Sequence, residues 1–244
     1  MRTPDRPPPE QPLVWERPQP RRRAAVEPLS RERIVQAAIA LADGEGLSDV
    51  SLRKVAAALD AGPMRLYRYL STKEELLELM VDAVYTEMLA DGPFAGPWRR
   101  ALRAFARRLR ETARAHRWFI DLIGGRPHVG PGGLAYLEAL FATLEDAPGV
   151  ADIDAAMQVA FTFNAYVVGA LRSEASERRE ELEGAMDQQQ WQDATGPYML
   201  RMVATGRFPH IARLMQEATH PPADVVFERG VELLLDGIEA QLAR

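Results

Sequence analysis

The 244-residue sequence predicts an all-α protein, and three observations predict it. Apolar residues recur at three- and four-residue spacing along most of the chain. Nowhere does a sustained alternation of period two arise, and no hairpin signal accompanies one. Most Gly and Pro clusters stand between the periodic segments.

The elements follow in order. Residues 1–28 are rich in Pro and Arg (RPPPEQP, ERPQPRRR). Proline removes backbone donors, so they read as an extended, disordered arm. Ser30 is placed to cap a first helix with Ile34, Ala38 and Leu41 on one face, stopped by Asp43-Gly44-Glu45-Gly46. Ser51 caps a short second helix, Leu52 to Leu59. Asp60-Ala61-Gly62 is a tight turn, and Pro63 suits the first turn of a third helix running to about Leu70. Ser71 or Thr72 caps a fourth, Lys73 to about Leu89, with Leu77, Met80, Val81 and Val84 inward. Beyond Gly92-Pro93 and Gly96-Pro97, a fifth helix carries Leu102, Phe105 and Leu109 and ends near Arg117. A short apolar helix spans Trp118 to Ile123, GGRPHVGPGG is a loop, and Leu134 to Leu144 is helical. Ile153, Met157, Ala160/Phe161, Asn164, Val167/Val168 and Leu171 form one stripe on a long helix. The charged segment Glu174 to Asp187 extends that helix or leaves it as a loop. Two helices separated near Gly206-Arg207-Phe208-Pro209 follow, Thr195-Gly196-Pro197 being able to kink the first. A last helix runs from about Ala223 to Leu242 with Phe227, Val231, Leu234/Leu235, Ile238 and Leu242.

Composition narrows the function. With 47% hydrophobic residues a substantial core is available. The absence of cysteine excludes disulfides and thiolate metal sites. No run of apolar residues is long enough to span a bilayer, and MRTPDRPPPEQP lacks the apolar centre of a secretory signal, so a cytoplasmic protein without membrane partners is expected. No nucleophile elbow or complete phosphate loop is present, and no enzyme or cofactor is expected. His116, His128, His210 and His220 form no i, i+4 pair and sit beside no carboxylate cluster. They read as surface or loop histidines, and no metal site is expected.

The net charge of −5 hides an asymmetry. Residues 1–73 hold thirteen Lys/Arg against nine Asp/Glu, a net +4, and the remainder carries −9. Ser51 to Lys73 alone has Arg53, Lys54, Arg65, Arg68 and Lys73 against Asp60. A basic module on an acidic body is the distribution expected of a DNA-binding head. Helix, three-residue turn and helix at this size read as a helix-turn-helix or as an ordinary three-helix bundle. In the first case the second helix enters the major groove, presenting Arg65, Tyr67, Arg68 and Tyr69 with Met64 as an apolar contact, while Leu66 and Leu70 face the core.

The segment SRERIVQAAIALADGEGLSDVSLRKVAAALDAGPMRLYRYLSTKEELLELM, with its specific -LYRYLSTKEELL-, resembles the N-terminal domain of the tetracycline-repressor family of regulators. The C-terminal part looks more loosely like the ligand domain of the same branch. The resemblance implies an N-terminal three-helix helix-turn-helix domain (29–75, after the arm 1–28) and a larger helical ligand-binding and dimerisation domain (76–244). It implies a homodimer on a palindromic double-stranded DNA operator, released by a small-molecule effector. By position, Ser51 would cap the second helix and contact a phosphate, and Arg53 would reach a base edge or phosphate. Pro63, Met64, Arg65, Tyr67, Arg68 and Tyr69 would lie along the recognition helix, and Lys73 would bind phosphate at the start of the fourth helix. One departure is Asp60, where many relatives have Gly. A constitutive DNA-binding protein without effector and a helical protein–protein adaptor remain as alternatives.

In the C-terminal part, Phe119, Leu122, Ile123, Met157, Phe161, Asn164, Tyr198 and Met202 would line a mainly apolar pocket. The tetracycline repressor holds its drug as a magnesium chelate through a histidine beyond a Ser-His-Arg segment. The matching Ala115-His116-Arg117 places Ile123 at that position, so the resemblance implies an effector bound without metal. The long apolar helices Ile153–Leu171 and Phe227–Leu242 carry more hydrophobic surface than one body covers, as a dimer requires.

Overall fold

The computed structural model describes residues 13–17, 29–182 and 188–243. Among these, helices α1 (Arg31–Glu45), α2 (Leu52–Ala58), α3 (Pro63–Leu66), α4 (Lys73–Met88), α5 (Trp98–Ala115), α6 (Phe119–Leu122), α7 (Pro131–Ala142), α8 (Ile153–Leu182), α9 (Gln188–Ala204), α10 (Pro209–Glu217) and α11 (Ala223–Leu242) form, and no strand does. The chain divides into two compact units, one of residues 1–93 and 111–139, the other of 94–110 and 140–244. The extended arm expected at residues 1–12 and 18–28, and the end of the charged segment at 183–187, lie outside the described residues.

In the first unit, three capping hydroxyls set the helix starts. Ser30 accepts from Arg33 N–H at 3.3 Å, Ser51 from Lys54 N–H at 3.2 Å, and Thr72, rather than Ser71, from Glu75 N–H at 3.2 Å. α1 runs past Asp43 and Gly44 and ends at Gly46, whose φ of 94° breaks the helical path. Asp60 adopts φ 48°, the left-handed turn that glycine fills more readily. α3 is shorter than the sequence suggests. After Leu66 the bonding tightens to i→i+3, with Tyr69 N–H on Leu66 C=O at 2.8 Å, which turns the chain toward the α4 cap. Along α4 the buried stripe is Leu76, Met80, Val84 and Met88, flanked by Leu79, Val81 and Tyr85, while Leu77 is half-buried.

An aromatic cluster closes this unit. Tyr85 meets Phe119 edge-on at 5.1 Å, Tyr136 at 4.4 Å and His128 at 6.0 Å. Burial pushes the Tyr85 and Tyr136 hydroxyls well above the ordinary phenol range. The loop GGRPHVGPGG ends early, because Pro131 opens α7 and the buried Asp82 carboxylate accepts from Gly133 N–H at 2.9 Å in its first turn.

The arm departs from the extended reading at Leu13–Arg17. These residues form a turn closed by Glu16 N–H on Leu13 C=O at 3.0 Å. Val14 is buried, and Trp15 packs on Gly130, where a Cβ would overlap the indole and the Asp82 carboxylate. Arg17 binds Ser71 Oγ at 3.0 Å and pairs with Glu75, and its carbonyl accepts from Arg31 at 2.8 Å. Burial of Val14 and part of the Trp15 ring offsets the entropy of ordering this turn.

In the second unit, Leu102, Phe105 and Leu109 of α5, Phe163, Val167 and Leu171 of α8, and Phe227, Val231 and Leu235 of α11 make the core. Along α5 the arginines at 99, 103, 107 and 110 step by three or four, so they share a face. Arg99 binds Asp236 and Glu239, each at 2.6 Å, Arg103 binds Glu232, and Arg107 grips Glu228 with two bonds of 2.8 Å. Arg110 donates to Glu174 at 2.8 Å and lies 4.5 Å from the centre of the Phe227 ring. α8 continues through the charged segment as far as Leu182, and α9 runs through Pro197 without ending. No described helix is long and apolar enough to cross a membrane.

Candidate nucleic-acid interface

The turn Leu59–Gly62 sets α3 against α2, and Leu66 and Leu70 are buried beneath it. The opposite face is open: Met64 is 78% exposed, Tyr67 50%, and Pro63, Arg65 and Arg68 are exposed. Met64 and Tyr67, spaced i, i+3, set an apolar side chain and an aromatic ring on the same outward face. Arg65 and Arg68 supply donor forks, Tyr67 a hydroxyl on a rigid ring, and Met64 an apolar surface for a thymine methyl, the inventory that base-edge and phosphate recognition uses.

Tyr69 does not share that face. It is half-buried, and its hydroxyl donates to Leu29 C=O at 2.6 Å, tying the turn after α3 to the residue before the α1 cap. Arg53 is exposed on α2 and Ser51 is half-buried at its cap. Lys54, the other cation there, is held by Asp49 at 2.6 Å and Glu45 at 2.9 Å, which raises the lysine and lowers Asp49 from their ordinary values. Lys73 opens α4, where the free amides and the positive end of the helix favour an anion. Arg17 adds a cation beside the same helix start, which sequence reasoning missed. The signal was the apolar triplet Leu13-Val14-Trp15 inside a proline-rich arm. Burial pushes the Glu75 carboxyl up, but the Arg17 guanidinium and the Ser71 N–H outweigh it and hold it below the ordinary range.

The eight residues expected around an effector divide between the units. Phe119 and Ile123 are buried in the first, and Leu122 is half-buried with its carbonyl 3.3 Å from His128 Nε2. In the second, Met157, Phe161 and Tyr198 are exposed, and Asn164 and Met202 are half-buried. A half-open groove of about 600 Å³ in that unit is lined instead by Tyr166, Ser173, Glu174, Arg178, His220 and Phe227. His116 is not the surface residue expected. It is 8% exposed and bonded to Asp43. Among the described residues no group of three His, Asp or Glu is disposed to hold a metal ion.

Comparison with known proteins fits this geometry. Residues 34–80 match the family model described as bacterial regulatory proteins, tetR family, and residues 92–242 match that of the tetracyclin repressor-like C-terminal domain. The transcriptional repressor DrrR1 of Streptomyces coeruleorubidus is 35% identical over 234 residues, covering 95% of this chain and 85% of that protein. Apo ActR of Streptomyces coelicolor superposes with a TM-score of 0.74 at 28% identity, over 90% of this chain and 99% of that one. ActR in complex with actinorhodin gives 0.73 at the same identity, over 89% and 100%. The C-terminal match alone spans more than half of the sequence, and this chain belongs to the tetracycline-repressor family of bacterial transcriptional regulators.

Proposed function

We propose that this regulator is a cytoplasmic homodimeric repressor that binds a palindromic operator and is released by a mainly apolar small molecule. The observation that carries the reading is the outward face of α3, where Met64, Arg65, Tyr67 and Arg68 stand exposed over the buried Leu66 and Leu70. Arg65, Tyr67 and Arg68 read base edges, Pro63 and Met64 make apolar contacts, and Ser51, Arg53 and Lys73 hold phosphates. Tyr69 acts from behind, fixing the recognition turn through Leu29. No catalytic role is assigned.

Dimerisation is assigned to α8 and α11. Ile153, Met157 and Phe161 recur every four residues on an exposed stripe of α8, continued by the small Ala165 and Gly169. On α11, Val226 and Leu233 are exposed with Gly230 and Gly237 near them. A symmetric partner presenting the same stripes would cover both. Two recognition helices then meet successive major grooves ~34–36 Å apart or a multiple of it. Met157 and Phe161 thus fit the partner face better than an effector pocket, and Phe119, Leu122 and Ile123 remain the apolar lining for the effector. ActR was solved with actinorhodin, which makes that compound the first probe.

The test is a mobility shift on the DNA upstream of the gene, followed by footprinting and titration with actinorhodin. Protection of a two-fold symmetric site, relieved by the ligand without added metal, is expected. No retardation of any duplex would overturn the reading, and retardation that no apolar ligand relieves would leave a constitutive DNA-binding protein.

A further inference from the structure

We propose that Asp43 is a positioning residue that fastens the DNA-binding head to the turn joining α5 and α6, and so sets operator affinity without touching DNA. The proposal rests on the reading of the head given above. Asp43 lies near the C-terminal end of α1, where no basic residue balances it. A carboxylate there opposes the negative end of the helix dipole, so helix propensity does not account for it.

Its partners do. Both oxygens lie 3.0 Å from His116 Nδ1, and one accepts from Trp118 Nε1–H at 2.7 Å. An ionised carboxylate only accepts, so Nδ1 carries the proton. Trp118 is 3% exposed and His116 little more. On its far side His116 Nε2 stands 3.4 Å from Glu87 of α4. One imidazole in the α5–α6 turn therefore bridges the first helix of the head and the helix that leads out of it. His116 and Trp118, both in the turn between α5 and α6, are spaced so that their two donors converge on one carboxylate.

The contact continues inward. Trp118 meets Phe119 edge-on at 6.3 Å, and Phe119 meets Tyr85, which in turn packs on Tyr136 of α7. Phe119 is among the residues assigned to the effector. A displacement there must either carry Asp43 with it or strip the carboxylate, whose side chain is 31% exposed, of two charge-assisted donors, one of them on the buried Trp118 indole, which would then lack an acceptor. A contiguous packed route of this kind is a physical means of coupling two sites.

The test uses the full chain and a duplex selected from a random pool by the wild-type protein. Affinity is measured against salt for Asp43→Ala, Asp43→Asn, Trp118→Phe and the Asp43→Ala/Trp118→Phe double variant. Asp43→Ala should weaken binding about tenfold, the scale of lost charge-assisted hydrogen bonds. Its salt slope should stay that of wild type, because no phosphate contact is lost. Asp43→Asn keeps an acceptor for Trp118 and should lose less. The double variant should lose no more than the worse single one, because both remove the same bond. Additive losses, a shallower slope or unchanged affinity in Asp43→Ala would overturn the proposal. Amide exchange without DNA gives a second readout: Asp43→Ala should speed exchange over Ala40–Glu45 and leave α2 protected, and unchanged exchange there also overturns it. If the wild type selects no duplex, the DNA-binding reading fails, and the exchange readout alone decides whether Asp43 fastens α1.

Discussion

The two units treat their apolar residues differently. In the first, Ile34, Val55, Leu66, Leu70, Leu76 and Met80 are fully enclosed, and among its described residues the large apolar side chains left outside are Leu13, Met64, Tyr67, Val129 and Leu134. In the second, twelve stand outside among the described residues, including Ile153 at 71%, Leu233 at 73%, Trp191 and Tyr198. A unit with an enclosed core is complete in itself, and its Met64 on α3 and Tyr67 just after it are the pair that the proposed reading turns toward DNA. A unit with exposed stripes along its longest helices is incomplete until an apolar partner covers them. On the function proposed above, the difference in exposure separates a surface for DNA from a surface for a second copy of the chain.

Leu233→Glu is the severest test of that contrast. Since Leu233 is 73% exposed, the protomer should fold as before. Two-fold symmetry places the new carboxylate in the interface twice, and an uncompensated buried charge costs several kcal/mol. Sedimentation at micromolar concentration should show monomers and operator affinity should collapse. A variant that remains dimeric would remove α11 from the interface.

Changes to the first unit's outward face should be smaller and more selective. Arg65→Ala and Tyr67→Ala should each lose ~1–3 kcal/mol of discrimination at one or two base pairs, with folding and dimer intact. Lys73→Ala should weaken all sequences alike and make the salt slope shallower by about one. Unchanged footprints in both recognition-face variants would withdraw the assignment of α3.

Much of this contrast was legible in the sequence. Ser30, Ser51 and Thr72 cap helices where hydroxyls precede apolar periods, and Leu66 and Leu70 face inward as their i, i+4 spacing requires. What was not legible depends on residues distant in the chain. Tyr69 looks like a neighbour of Tyr67 until Leu29 supplies an acceptor. His116 looks like a loop residue until Asp43, 73 positions away, turns out to be its partner. The shortness of α3 follows from where the α4 cap must lie, which propensity alone does not encode. The exposure of Met157 and Phe161 depends on which side of α8 its neighbours occupy, and periodicity gives a stripe without saying what faces it.

The arm sharpens the contrast at intermediate scale, because it is part of how the first unit completes itself. Val14→Ala removes two buried methyl groups, worth roughly 1.5 kcal/mol at ~0.8 kcal/mol per carbon. For a chain of this size that lowers the melting temperature by about 2–4 °C per kcal/mol. Removing residues 1–12 should leave melting unchanged, whereas removing 1–17 should reproduce the loss. Deleting 1–23 should in addition lower non-specific DNA affinity without altering the preferred sequence, and a shifted preference would show that the arm reads bases. Equal melting for both shorter truncations would mean that Leu13–Arg17 contributes nothing to the first unit.

The smallest effect is expected from the charged ladder of the second unit, although it is the most conspicuous polar feature there. Glu232 accepts from Arg103 and Arg99, and the Arg103 bond, assisted by Arg99 against an opposing effect of burial, lowers its carboxyl from 4.5 to about 2. The folded value lies below the unfolded one, so the stabilisation is complete above about pH 4.5 and is lost as pH falls toward 2. The size of the shift overstates the gain: the side chain is 38% exposed, and solvent screening holds such a pair to about 1 kcal/mol or less. Glu232→Gln should therefore melt slightly below wild type near neutral pH, and the gap should narrow when both are measured at about pH 3, because the remaining carboxylates titrate alike in the two proteins. Salt at about 1 M should narrow the neutral-pH gap as well, since the Debye length falls to about 3 Å. A gap that is large and indifferent to both pH and salt would show that the α5–α11 ladder acts through packing of the arginine stems rather than through charge.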